Sequence, residues 1–231
     1  KSSISYKKAL LIEKPLCTSR EELDSLKLFL ENQEELPKII IGHNRRYSKI
    51  IKKLLENLDY QSPMIINIRV NAGKIDEDHW LYNEEEGGNR VIAECSHFID
   101  LIKYISKSKI KKLSASGLGS TKKRFENFSS SFTHDNGSLS NLIYFSEGSK
   151  SYSREIFEVI QNGCHYKITD FKVLEIYKAK SRKNSFKFDF GFQNQLDFFL
   201  SEAPELNYQD NLLDEINSME LTFDLVKELS T

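Results

Sequence analysis

The sequence predicts an α+β protein in which a short parallel α/β segment is followed by a large, mainly antiparallel open sheet with flanking helices. Three observations predict it. Two apolar runs, KALLIEKP and LPKIIIGHN, flank one amphipathic helix before residue 45, as parallel strands buried on both faces and joined by a crossover do. From Pro63 the texture changes to period-two stretches separated by tight-turn signals. Two helical stretches close the chain.

In order, TSREELDSLKLFLEN opens with Thr18 or Ser19 as N-cap, carries acids in its first turn and offers Leu23, Leu26, Leu28 and Leu30 for burial. RRYSKIIKKLLENL places Ile50, Ile51, Leu54, Leu55 and Leu58 at helical spacing, and MIINIRVNAG alternates as a strand. Residues 74–90 form an acid-rich, irregular stretch holding the only tryptophan, Trp80. A helix from about Asn89 to Ile105 buries Val91, Ile92, Cys95, Ile99 and Leu101 or Ile102, with Gly87-Gly88 permitting a tight turn before it. The strands IKKLSASG, FENFSSSFTH, SLSNLIYFS, YSREIFEVIQ, CHYKITD, FKVLEIYK and SFKFDFG follow, with Phe132, Tyr144, Phe145 and Tyr152 on the sheet's faces. Asp135-Asn136-Gly137 and Asn162-Gly163 signal hairpins, because Asn-Gly readily takes the positive φ angles of a type I′ turn. The closing helices are GFQNQLDFFLSEA and a longer one from about Gln209 to Leu229.

Composition excludes several function classes. Lys plus Arg (33) nearly cancels Asp plus Glu (34), so no global field points to nucleic acid or membrane. The basic clusters KSKIKK (107–112) and KAKSRK (178–183) read as solvated loops, and GLGSTK (117–122) lacks the helix that a phosphate-binding turn requires. Cys17, Cys95 and Cys164 are an odd number without CxxC spacing, which argues against a disulfide framework or zinc site. No apolar run reaches membrane-spanning length and KSSISYKK has no signal-peptide core, so a cytoplasmic protein is expected.

Three constellations carry chemistry. Glu13-Lys14-Pro15 ends a buried strand, where α/β proteins place ligands; a strand that merely stops at Lys-Pro is the plainer account of the tripeptide. Gly42-His43-Asn44-Arg45-Arg46-Tyr47 ends the next parallel strand on the same edge, adding an arginine pair that is electrostatically awkward at a helix start. His97 lies one helical turn from both Glu94 and Asp100, so a carboxylate beside the imidazole would raise its basicity for general-base work. Metal binding by Glu94, His97 and His79 or Cys95 lacks a recognised spacing, and no metal is expected.

In this order, EKPL, GHNRRYS, INIRVNAG…DHW and GGNRVIAECSHFIDL resemble the second half of a Gfo/Idh/MocA-type NAD(P)-dependent oxidoreductase, in the branch fused behind a zinc-alcohol-dehydrogenase-like domain. The likeness runs from about Ala9 to the C-terminal helix and includes ITDFKVLEIYK. It implies that residues 1–44 are the tail of a Rossmann nucleotide-binding domain whose glycine-rich turn lies outside this sequence, and that residues 45–231 form a substrate-binding and oligomerisation domain. It further implies NAD or NADP as cofactor, hydride transfer at a sugar or cyclitol carbon, and a homodimer or tetramer built through the large sheet. Lys14 matches the lysine that contacts cofactor and substrate, His97 the proton-transferring histidine, and the Lys14-Pro15 peptide is expected to be cis. Glu13, Pro15 and Arg45 would line the cofactor, and Glu94 would assist catalysis. Arg46, Asp78, His79 and Trp80 would contact substrate. The usual aspartate four residues before the histidine is Ala93 here, which leaves a scaffolding module that kept the fold and lost cofactor binding as the alternative.

Overall fold

The computed structural model describes residues 9–33, 39–83, 86–118, 125–202 and 208–231. Strand β1 (Leu10–Ile12) pairs in parallel with β2 (Ile39–Ile41) across helix α1 (Arg20–Glu31). Ser19 caps α1 by accepting from the Glu22 amide at 3.2 Å, as its side-chain chemistry predicts. Of the four leucines expected to be buried on α1, Leu23 and Leu30 are, but Leu28 is 62% exposed. It sits two positions from Leu30 and therefore on another side of the helix. Helix α4 (Phe192–Glu202) covers part of this small sheet, with Phe198 and Phe199 packed on Ile40 beside Ala9 and Leu11.

Beyond β2 a short 3-10 turn (Asn44–Tyr47) precedes helix α2 (Lys49–Leu55), where one continuous helix was expected. Ser48 divides the two, because its hydroxyl accepts from the Ile51 amide and starts the second. The large sheet is assembled from β3 (Ile65–Asn71), β4 (Ile110–Gly117), β5 (Asn127–His134), β6 (Leu139–Phe145), β7 (Glu155–Gln161), β8 (Cys164–Thr169), β9 (Val173–Tyr177) and β10 (Arg182–Ser185). Its order is β10-β9-β8-β7-β3-β6-β5-β4. All neighbours are antiparallel except β3 and β6, which run in parallel.

The last strand differs from expectation. It is Arg182–Ser185, which starts in the stretch read as a basic loop (178–183) and ends at the first residue of SFKFDFG. Phe186 and Phe190 instead pack against the core, and Phe190 stacks edge-on with Phe171 at 5.2 Å. The hairpins also divide. Asn162 (φ 50°) and Gly163 (φ 70°) adopt the expected mirror-image turn, whereas at 135–138 only Gly137 (φ 81°) has positive φ, and Asn136 spends its side-chain oxygen on the Ser138 amide. The GLGSTK loop lies largely outside the described residues.

One face of the large sheet is covered by α2, by α3 (Ser96–Ser106) and by α5 (Tyr208–Leu229), and it holds the main core of Ile66, Ile68, Phe132, Leu142, Phe157, Ile99 and Ile102. The other face is open, with Ile65, Leu139 and Ile143 at 40%, 48% and 42% exposure. Among the described residues no helix is long and apolar enough to cross a membrane.

Gly191 joins the two parts. Its φ is +88°, and an added Cβ would lie 2.4 Å from the Asn44 carbonyl oxygen and 2.5 Å from the Ser48 amide. Gly191→Ala therefore meets both a disfavoured backbone region and a backbone clash, and should cost roughly 2 kcal/mol or more, read as a lower urea midpoint with unchanged slope.

Candidate active site

The segment that begins with Gly87-Gly88 builds the floor of the site. An added Cβ at Gly87 would fall 2.7 Å from the Leu81 Cα, and Gly88 has φ +71°, so the pair allows the close crossing expected of it. The helix that follows is not uniform. Val91–Cys95 form a π-helical turn, and the α-helical pattern resumes at Ser96 as α3. The widened turn changes which side chains share a face. Its consequence is that Glu94 and His97 are no longer separated by one regular α-helical turn, whereas His97 and Asp100 both lie within the regular α3.

Glu94 faces a buried polar group of its own. Arg90, 1% exposed, donates to Glu94 Oε1 at 3.2 Å and to the Gly73 carbonyl at 2.8 Å, and lies over the Tyr144 ring. The Tyr144 hydroxyl donates to Glu94 Oε2 at 2.5 Å, and the Tyr82 hydroxyl donates to Glu126 beside them. Asp100 faces another. It accepts two hydrogen bonds from Arg46, and its Oδ2 lies 3.9 Å from His43 Nδ1.

His97 is 8% exposed and is flanked by cations. Burial above all, then the charges of Arg45, Lys14 and His43, hold its imidazole well below the usual histidine range. This corrects the expectation of a carboxylate-activated base: no carboxylate contributes to the His97 environment among the described residues, and its Nδ1 makes no hydrogen bond there. Burial and these cations together favour the neutral form of the imidazole.

Lys14 reaches the same place from β1. The chain leaves that strand through Glu13 and a cis Lys14-Pro15 peptide, and Lys14 Nζ donates to the Ala93 carbonyl at 2.5 Å. Burial and Arg45 lower the ammonium's proton affinity, while Glu94 and Glu13 oppose them. Glu13 is exposed and packs near Gly42, where an added Cβ would meet its Oε2 at 2.9 Å. The two strands thus end side by side, and both deliver charge to the first turns of the 91–106 helix. A neutral imidazole can take or return a proton, and a partly desolvated ammonium can hydrogen-bond an oxygen that becomes negative.

The remaining candidates are placed less centrally. Arg45 is paired with Glu155 at 2.6 Å and caged by Phe98, Phe190 and Phe171, and its buried Nε makes no hydrogen bond among the described residues. Arg46 is committed to Asp100, Glu215 and Asp214. Asp78 is exposed and Trp80 is 53% exposed, while His79 Nδ1 caps the short 3-10 turn Trp80–Tyr82 by accepting from the Leu81 amide. His43, Arg90, Tyr144 and Glu215 were not foreseen. A sign was available for Glu215: with Leu212, Ile216, Met219 and Phe223 it falls on the apolar side of α5, where a charge needs a partner.

His43, Asp100 and Glu215 bring ligand atoms within 4.8 Å of one another, a spacing that could suit a metal ion. The Arg46 guanidinium already pairs with both carboxylates, and His43 donates to Glu215 at 3.0 Å, so the group is neutralised by protein cations.

No family model and no curated protein matches the chain. Solved structures do. UDP-N-acetylglucosamine 3-dehydrogenase GnnA from Acidithiobacillus ferrooxidans superposes with TM-score 0.74 at 17% identity, covering 96% of this chain and 70% of that one. The dehydrogenase MviM from Clostridium difficile gives 0.69 at 16% identity, over 96% and 71%. The transcriptional regulator Gal80p from Kluyveromyces lactis gives 0.76 at 17%, over 95% and 67%. At such identities the likeness is one of fold, and the chain carries the fold of the Gfo/Idh/MocA-type oxidoreductases over the greater part of their length.

Proposed function

We propose that this chain is the substrate-binding portion of an NAD(P)-dependent oxidoreductase that moves a hydride between a nicotinamide and a sugar or cyclitol carbon. The observation that carries the reading is that Lys14, from the end of β1, donates to the Ala93 carbonyl at 2.5 Å, about one turn ahead of His97, so that its charge bears on the buried His97 ring. Strand ends of this kind are where open α/β sheets bind ligands. GnnA, by name a UDP-N-acetylglucosamine 3-dehydrogenase, supports a sugar-type substrate.

On this reading residues 1–44 belong to the nucleotide-binding domain and residues 45–231 to the substrate domain. Glu13, Lys14, Pro15 and the charge of Arg45 would border a nicotinamide, and the partnerless buried Nδ1 of His97 fits a site finished by a bound molecule. The nicotinamide, when bound, supplies the carbon that accepts or gives the hydride. Lys14 orients the substrate hydroxyl and stabilises alkoxide charge on its oxygen. His97 takes the hydroxyl proton in the oxidative direction and returns it in the reductive one. Glu94, fixed by Arg90 and Tyr144, faces Lys14 as the balancing charge. Asp78, His79 and Trp80 sit in the segment ahead of the double glycine as the outer substrate contacts. The open face of the large sheet, with Ile65, Leu139 and Ile143, is the surface through which copies would pair into a dimer or tetramer.

Gal80p favours a second reading, a regulator that kept the fold without the chemistry. Nicotinamide-dependent oxidation of a panel of sugars, sugar nucleotides and cyclitols by the full-length protein separates the two. Turnover with at least one member is expected, and Lys14→Met should lower it about a hundredfold. A Lys14→Met protein as active as the parent would remove the lysine from the mechanism, and a panel without turnover would favour the regulator.

A further inference from the structure

Outside the pair already described, the most unusual buried feature is a second histidine directly behind His97. His43 is 3% exposed, at the end of β2. Its Nε2 is 3.0 Å from Glu215 Oε2 on α5, its Nδ1 is 3.9 Å from Asp100 Oδ2 on α3, and its ring meets that of His97 edge-on at 5.6 Å between centroids. Neither His43 Nδ1 nor His97 Nδ1 makes a hydrogen bond among the described residues. Two buried imidazoles so close cannot share a protonation state cheaply: if one is cationic, the other is pressed to stay neutral. Everything around them assigns the charge to the same ring. His43 faces two carboxylates, with Arg46 as the opposing cation, whereas His97 faces Lys14, Arg45 and His43.

We propose that His43 is a positioning residue for His97: paired with Glu215 as an imidazolium and with the Asp100 carboxylate nearby, it packs edge-on against His97 and keeps that ring in its neutral, proton-accepting form. The inference rests on the proton-transfer role read for His97, and it ties that role to α5, which touches the site nowhere else through a charged group that pairs with a histidine among the described residues. Although burial lowers the proton affinity of His43, Asp100 and Glu215 together outweigh it, and the ring's pKa is raised. The raised pKa carries the charged form of His43 to higher pH than an ordinary histidine would hold it, and the pressure on His97 falls as that charge is lost.

The test is a nitrogen-15 and carbon-13 imidazole titration of this chain by NMR between pH 4 and 9, comparing wild type with His43→Gln and Glu215→Gln. Glutamine at 43 can still donate to Glu215 but carries no charge. The midpoint of His97 should rise by on the order of one pH unit in His43→Gln. In Glu215→Gln the midpoint of His43 should fall and that of His97 should rise. A His97 midpoint unchanged in whichever variant folds, judged by its amide spectrum, would overturn the proposal, because a merely structural contact would leave it in place. The titration needs no substrate, so its outcome is separate from the turnover test: active His97 variants would end the reading of His97, while an unmoved midpoint would end only that of His43.

Discussion

On the proposed oxidoreductase reading, replacing His97 with glutamine should lower turnover by about 10²–10⁴-fold, and it should make the protein more resistant to acid unfolding. Glutamine roughly fills the volume of imidazole, so the rate loss reports on proton transfer rather than on a cavity left at this buried position. The second half of the result follows from linkage. The folded-state pKa of His97 is depressed by burial and by Arg45, Lys14 and His43. A depressed histidine contributes its full share of stability above the unfolded-state value of about 6.5, and loses it as pH falls from there through the folded-state value, because the unfolded chain takes up the proton first. Glutamine has no such proton to take up, so urea midpoints of variant and wild type should diverge below about pH 6.5, with the variant losing less. A variant that keeps wild-type turnover in the sugar and cyclitol panel removes His97 from the chemistry. Identical acid profiles would mean that the ring is not held neutral.

The local half of this structure was legible in the sequence and the nonlocal half was not. Strand alternation located β3 to β9 closely, since the period-two pattern is a property of a single segment. Which strands pair is decided by contacts far apart in the chain, so nothing in the alternation told that β3 lies between β7 and β6, or that it runs parallel to β6. SFKFDFG shows the same limit: its phenylalanines alternate as a strand would, yet Phe186 and Phe190 turn to the core, and pairing with β9 falls to Arg182–Ser185. In the site, the convergence of Lys14 with the charged segment His43–Arg46 follows from one rule, that neighbouring parallel strands end on the same edge. The expected trio of Glu94, His97 and Asp100 failed on two counts: Asp100 is taken by Arg46, and the spacing of Glu94 to His97 assumed a regular α-helix. The π-helical turn over Val91–Cys95 changes the count within that span, and no residue pattern there announces it. His43 escaped notice for a related reason, since its partner Glu215 is brought to it by the packing of α5.

Asp100→Asn should destabilise the fold by about 3–5 kcal/mol. Asp100 is 1% exposed and accepts two hydrogen bonds from Arg46, whose guanidinium is 11% exposed and lies over Tyr104. Removing the carboxylate charge leaves a buried guanidinium with Glu215 at 3.2 Å and the more exposed Asp214 at 3.4 Å, and leaves His43 with Glu215 alone. Two cations would then compete for one buried carboxylate, and the cost is that of the stranded charge rather than of a lost contact. The distinction can be measured. If stranding is the cause, removing the cation as well should restore much of the loss, so the double variant Asp100→Asn, Arg46→Met should be more stable than Asp100→Asn alone, with a coupling energy of about 2 kcal/mol or more in urea unfolding. A double variant whose losses simply add would show that Arg46 and Asp100 act independently. The buried group that ties the end of β2 to α3 and α5 would then owe its stability to packing, and the charge at His43 would lack the support on which its influence over His97 depends.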